Sequence, residues 1–198
     1  MLLHLIRHPQ PLVGAGICYG SSDLPVAPEH LAACIQTLQV ELAQADSCPI
    51  YSSPLQRCSA LAEGLAARLN TRVDYDARLQ EMHFGAWELQ AWDDIARSEI
   101  DAWSADLLYF RPGRGESLWQ VAQRVRAFLT ALLQTGHEHV ILITHAGVIR
   151  IVLAYRDWQS SHSTLSPAPD DALAHIALQA ASAPHAIAYG ALLPVQLK

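Results

Sequence analysis

The segment Val140-Ile141-Leu142-Ile143-Thr144 limits the fold more than any other stretch of this chain. Its aliphatic residues follow one another without polar alternation, so it cannot be a strand with one face in water. It reads as a buried strand with apolar cover on both sides. The chain opens on a comparable short run, Leu2-Leu3-His4-Leu5-Ile6-Arg7, which stops abruptly at His8-Pro9-Gln10-Pro11. A residue before proline is pushed out of the helical region, so His8 is placed at the end of a strand.

The intervening sequence alternates between strand and helix signals. Pro28 opens a helical stretch with Leu31, Ile35, Leu38 and Leu42 on one face. Pro49 to Ser52 reads as a short strand, and Ser53-Pro54 as a cap and first-turn proline for a helix running to about Leu69. Val73 to Tyr75 is a third strand. The most pronounced helix spans Ser117 to Gln134. Leu118, Val121, Ala122, Val125, Phe128, Leu129, Leu132 and Leu133 form its apolar face, and Gly136 is its stop. A further helix follows His145-Ala146-Gly147, another starts at Pro169-Asp170-Asp171, and Ala186 to Tyr189 reads as the last strand. The stretch from about 80 to 115 is irregular and holds Trp87, Trp92 and Trp103; it is expected to form short helices and a cap-like segment. The alternation implies an α/β fold, a three-layer α/β/α sandwich with a mostly parallel central sheet, in one domain over 1–198.

Composition removes several classes of function. A chain of 198 residues, 51% hydrophobic, can bury one substantial core. A net charge of −6 is the wrong sign for a protein that coats nucleic-acid phosphates. No apolar run approaches the roughly 20 residues of a bilayer span. His4 and Arg7 interrupt the first apolar stretch and no small-residue cleavage site follows, so no export signal is expected and the setting is read as cytoplasmic. The four cysteines form no C-x-x-C pair and the ten histidines no H-E-x-x-H spacing; neither a metal nor a cofactor is expected.

In sheets of this kind ligands bind beyond the carboxyl ends of the strands. The first strand delivers Arg7 and His8 there, the second Ser52 and Ser53, and the strand at 140–144 delivers His145. Arg57 stands in the first turn of the following helix, and a helical side chain leans toward its own N-terminus. Two arginines, two histidines and helix starts therefore converge. Guanidinium forks and free amides suit phosphate oxygens. Nearby positive charge keeps a histidine neutral, and a neutral imidazole nitrogen can attack phosphorus. The segment Leu79-Gln80-Glu81-Met82-His83-Phe84-Gly85-Ala86-Trp87-Glu88 adds Glu81, a carboxylate among apolar residues, suited to protonate a leaving oxygen.

Arg7-His8, Ser53-Pro54-Leu55-Gln56-Arg57, Leu79 to Glu88, Gly115-Glu116-Ser117 and Thr144-His145-Ala146-Gly147-Val148-Ile149-Arg150 occur in the order found in the histidine phosphatase superfamily. The chain resembles its phosphoglycerate mutase-like branch over nearly its whole length, thinning after about Asp157. The resemblance implies a phosphoglycerate mutase-like fold and no metal. It also implies that His8 becomes phosphorylated, that Arg7 and Arg57 clamp phosphate, and that a protonated His145 stabilises the transferring group. Glu81 takes the acid–base position. Ser53 and Ala146 would lie near the phosphate. Within the branch the chain is most similar to α-ribazole phosphatases, on Gly16-Ile17-Cys18-Tyr19-Gly20-Ser21-Ser22-Asp23-Leu24-Pro25 and the full Glu81–Glu88 stretch. The implied partner is a small phosphomonoester, with a homodimer left open.

Two positions depart from the pattern. Pro9 stands where the family has glycine or alanine and has no N–H to offer phosphate. Val13 stands near where the mutases have asparagine, so the Tyr19 hydroxyl or Gly20 amide is the candidate replacement. The other readings are a mutase-type isomerase on phosphorylated sugar acids and a phosphate-binding relative without catalysis. His83 is read as a site-edge residue and Trp87 and Glu88 as packing partners. The remaining histidines, His185 among them, are read as solvated or core groups.

Overall fold

The computed structural model describes residues 1–43, 48–162, 167–183 and 187–198; His185 and Ala186 lie outside them. Five strands, β1 (Leu2–Arg7), β2 (Ile50–Ser52), β3 (Val73–Tyr75), β4 (His139–Thr144) and β5 (Leu192–Gln196), form one sheet in the order β3-β2-β4-β1-β5. The central strand is the one its sequence demands: β4 is buried from Val140 to Thr144 and pairs in parallel with β1 and β2. Only β5 runs antiparallel, along the outer edge of β1.

Side chains alternate across the sheet, and each face finds its own apolar cover. Leu3, Leu5, Val140 and Leu142 pack beneath α4 (Leu118–Leu133), α5 (Ala146–Ser161) and α6 (Asp170–Ser182). Ile6, Ile50, Ile141 and Ile143 pack against α1 (Pro28–Glu41) and α2 (Gln56–Leu69). The result is the expected three-layer α/β/α arrangement. Helix α4 starts with a capping box in which Ser117 Oγ accepts from the Gln120 amide at 3.3 Å and Gln120 Oε1 from the Ser117 amide at 2.9 Å. It ends before Gly136, whose φ of +74° turns the chain into β4.

Two expectations are corrected. Helix α2 begins at Gln56 behind Leu55, with no side-chain cap; Ser53 turns its hydroxyl into the site instead. The last strand lies at Leu192–Gln196, whereas Ile187 to Tyr189 precedes it as coil and turn. Pro194 sits opposite His4 within β5. An edge strand tolerates proline because one row of its backbone groups has no ladder partner.

The stretch 80–115 holds short helical turns at Gly85–Trp87, Trp92–Asp94 and Pro112–Arg114, and the helix α3 (Arg97–Ala105). Its interior is aromatic: Trp87 is buried, Trp92 and Trp103 stack with centroids 6.2 Å apart, and Phe84 meets both edge-on. Backbone bonds from the Cys18 amide to the Gln90 carbonyl and from the Leu89 amide to the Cys18 carbonyl, both 2.8 Å, tie it to the loop carrying Tyr19 to Ser22. Gly85 and Gly113 face one another with φ of +57° and +53°; a Cβ on Gly85 would come within 2.0 Å of the Gly113 carbonyl oxygen. Side chains at that crossing would force the two loops apart.

Candidate active site

Parallel pairing brings three strand ends to one place. Ladder-like bonds continue one residue past the strands: the His8 amide donates to the Thr144 carbonyl at 3.1 Å and the Ser53 amide to the Ile143 carbonyl at 3.0 Å. His8, Ser53 and His145 therefore leave the sheet side by side. The two imidazole rings are 5.0 Å apart, centroid to centroid. His8 is 2% exposed, and Ser53, Arg57 and His145 are fully buried.

His8 Nδ1 lies 2.6 Å from the Pro9 carbonyl oxygen. A carbonyl only accepts, so Nδ1 carries the proton and Nε2 keeps its lone pair. Pro9 has lost an N–H but its carbonyl still sets the tautomer. Burial, then the charge of Arg57 and Arg7, push the His8 pKa down to about 3 against the opposing bond to Pro9. Arg7 and Arg57 flank this neutral imidazole. Arg57 donates to the Ser22 carbonyl at 2.7 Å and to the Gly20 carbonyl, and Arg7 to the Ile187 carbonyl. Among the described residues, the buried side-chain nitrogens without a partner are Arg7 Nε and Arg57 Nε.

Glu81 approaches from the other side. Its Oε2 accepts from the Gly147 amide at 3.0 Å and its Oε1 from the Met82 amide at 3.1 Å. The first turn of α5 thus presents a free amide to the carboxylate, as helix starts do. A Cβ on Gly147 would fall 2.4 Å from Glu81 Oε1, so the approach requires glycine there.

The sequence and the fold have known counterparts. Residues 3–167 match the model of the histidine phosphatase superfamily, branch 1. The chain belongs to that superfamily. It is 26% identical over 159 residues, 78% of each chain, to an adenosylcobalamin/alpha-ribazole phosphatase of Escherichia coli K12. It is also 26% identical over 155 residues, 76% of each, to a putative phosphoserine phosphatase 2 of Hydrogenobacter thermophilus. The solved alpha-ribazole phosphatase of Shigella flexneri has the same fold, with a TM-score of 0.78 at 22% identity over 100% of this chain and 91% of that one. Superfamily membership and these relatives make the chain a phosphatase.

In this histidine phosphatase His145 departs from the protonated state expected of it. Burial, then Arg57, His8, Arg124 and Arg7, hold its pKa well below the ordinary value. Its Nε2 lies 2.9 Å from Ser53 Oγ and 3.5 Å from Cys58 Sγ. Two buried neutral histidines have a measurable consequence. Between the ordinary pKa of 6.5 and about 3 the unfolded chain binds a proton at His8 and the folded chain does not. That contribution is complete above pH 6.5 and is lost as pH falls, at up to about 1.4 kcal/mol per pH unit for each histidine. Urea unfolding from pH 7 to pH 5 is expected to show this fall, and a shallower one in His8→Asn. A flat profile would contradict the neutral pair.

Several residues that build the site carried no such reading in the sequence. Glu88, taken as a packing partner, accepts from the amides of Gly20 and Ser21 at 3.0 Å, Ser22 at 3.1 Å and Phe84 at 3.0 Å, and from the Ser22 hydroxyl. Burial would raise its pKa, but these bonds hold it below the usual carboxylate range. Glu88 thereby shapes the loop whose carbonyls grip Arg57. The Gly20 amide is engaged by Glu88, and the Tyr19 hydroxyl meets that of Tyr189 at 2.7 Å. Ala146 opens α5 beside His145.

Arg124 grips Glu116 through two bonds of 2.7 and 3.0 Å and donates to the Arg78 and Gln80 carbonyls, both at 2.6 Å. The Glu116 amide donates to the His83 carbonyl at 2.7 Å. Together they hold the backbone on both sides of Glu81. The motif Gly115-Glu116-Ser117 signalled Glu116; Arg124, on α4, had no signal of its own. His83 is exposed and lines, with Glu81, Arg111, Arg114 and Gln120, a cleft of about 510 Å³. Among the described residues no helix is long and apolar enough to cross a membrane.

Proposed function

We propose that this phosphatase hydrolyses a small phosphomonoester through a phosphohistidine at His8, without a metal, and that α-ribazole 5′-phosphate is its substrate. The observation that carries the reaction is the pair of buried, unpartnered arginine Nε donors flanking an imidazole whose Nε2 lone pair is free. Buried charged donors without acceptors are costly, and phosphoryl oxygens supply the acceptors.

The His8 Nε2 lone pair attacks phosphorus, the ester P–O bond breaks, and Glu81 in its acid form gives its proton to the leaving oxygen. Water then gives a proton to Glu81 and attacks phosphorus; the P–N bond breaks and inorganic phosphate departs. Arg7 and Arg57 stabilise the equatorial oxygens, donors already in place before charge develops. A phosphoryl dianion beside His145 brings the opposite charge, which draws that histidine toward its protonated form. The cleft beside Glu81 receives the leaving group, with the segment 80–115 as its cap-like wall. The thiols of Cys18, Cys34 and Cys58, none of them in a disulfide, support a reducing, cytoplasmic setting.

The substrate rests on the α-ribazole phosphatase relatives in Escherichia coli and Salmonella typhimurium. One observation favours a second reading: Arg111 and Arg114 line the cleft beside Glu81, and guanidinium groups there suit an ester with its own carboxylate. Phosphate release without added metal from α-ribazole phosphate, 3-phosphoglycerate and p-nitrophenyl phosphate separates the two. The expected ranking puts α-ribazole phosphate first by kcat/KM. Preference for 3-phosphoglycerate would transfer the substrate to the second reading, interconversion of 2- and 3-phosphoglycerate without release would make the chain a mutase, and silence on all three would overturn the reaction.

A further inference from the structure

The phosphate clamp has a component outside the residues that match the superfamily model. That match ends at residue 167, yet Tyr189 lies against the site. The cause is the direction of β5. An antiparallel strand beside β1 begins at the end where β1 finishes, with Leu192 opposite Ile6. The residues just before β5 are thereby delivered to Arg7 and His8. The Gly190 amide donates to the carbonyls of Arg7 at 3.1 Å and His8 at 3.3 Å.

Tyr189 makes three contacts there. The Arg7 Cζ stands 3.8 Å from its ring centroid. Its ring lies 5.6 Å from that of His8. Its hydroxyl meets Tyr19 Oη at 2.7 Å, and the Tyr19 ring has Arg57 Cζ 5.6 Å from its centroid. Tyr189 is 39% exposed, so burying a ring is not its main contribution. Among the described residues, the other anchor of the Arg7 side chain is the Ile187 carbonyl from the same segment. A long side chain in a phosphate clamp loses affinity if it must be ordered each time the ligand binds. A guanidinium stacked on an aromatic face is ordered beforehand.

We propose that Tyr189 is a positioning residue of the phosphate site, holding the Arg7 guanidinium flat with its Nε edge toward the phosphoryl group and linked through Tyr19 to the Arg57 side. This rests on the phosphohistidine reading for its kinetics, but not for its binding test. Inorganic phosphate, titrated into the enzyme by calorimetry, is the probe that requires no turnover.

Tyr189→Leu is expected to weaken phosphate binding about 10-fold and to lower kcat/KM for p-nitrophenyl phosphate similarly, the order expected for a stacked cation of this kind. Tyr189→Phe, which keeps the ring, should restore both to within about 3-fold. In an Arg7→Ala background Tyr189→Leu should add less than about 2-fold, because the stacked guanidinium it acts on is already gone. A purely structural tyrosine would instead give equal losses in both backgrounds. That result would overturn the proposal, as would unchanged phosphate binding in Tyr189→Leu. If Tyr189→Leu does not fold, Tyr189→Phe and Tyr189→His carry the same comparison, His failing and Phe succeeding. If phosphate binds as expected while no ester is hydrolysed, the reaction reading fails and the Tyr189 assignment stands.

Discussion

His8→Ala is expected to lose at least about 10⁴-fold in turnover on every ester tested, because a covalent route has no substitute nucleophile. Nothing else in the site can take its place. His145, the other imidazole, has its Nε2 against Ser53 Oγ and Cys58 Sγ. The wild type, quenched during turnover of a labelled phosphomonoester, should carry protein-bound phosphate that survives alkali and is lost in acid, as a phosphorus–nitrogen bond is. His8→Ala should carry none. Substantial hydrolysis by His8→Ala, with its circular dichroism unchanged, would mean direct attack by water and would remove the phosphohistidine from the mechanism.

Glu81→Gln should divide substrates by leaving group. An alkoxide needs a proton as it departs, and general acids contribute about 10²- to 10⁴-fold. A nitrophenolate leaves without one. The substitution is therefore expected to cost an alkyl phosphate about 10³-fold in the first step while p-nitrophenyl phosphate loses less than about 10-fold there, read as the burst in rapid-quench experiments. The variant keeps most of its local structure. One carbonyl oxygen of the amide can still accept from Gly147 or Met82, and Arg124 continues to hold the carbonyls of Arg78 and Gln80. Equal losses on both esters would reassign Glu81 to holding the start of α5.

The residues legible in the sequence are those whose position follows from a strand end. His8 and His145 each follow a short aliphatic run, and parallel pairing of such runs in an α/β sheet places both at one edge. Arg57 is legible for a related reason: it stands in the first turn of a helix that begins just after such an edge, and a helical side chain leans toward that start. Ser53 was misread because a serine before a proline has the local pattern of a helix cap. The buried His145 imidazole requires a partner for its Nε2, and that tertiary requirement took the hydroxyl. Glu88 was undervalued for the complementary reason. No local pattern indicates that four backbone amides, three of them from a loop more than 60 residues away, need one carboxylate.

The sequence by itself determined the layered α/β fold and the sheet edge at which Arg7, His8, Arg57 and His145 meet. Each of these four follows from short-range rules: hydrophobic period, the stop before proline, and the lean of helical side chains; Glu81 stood out only as a carboxylate within an apolar segment. Tertiary structure alone decided how those residues are held. The neutral state of both histidines comes from burial and from charges on other elements. The Arg57 grip comes from a loop that Glu88 shapes, and the Glu81 backbone is fixed from α4 by Arg124. Tyr189 reaches Arg7 only because β5 runs against the rest of the sheet. Strand direction at an edge leaves little trace in a pattern of apolar residues, since a strand buries the same side chains whichever way it runs.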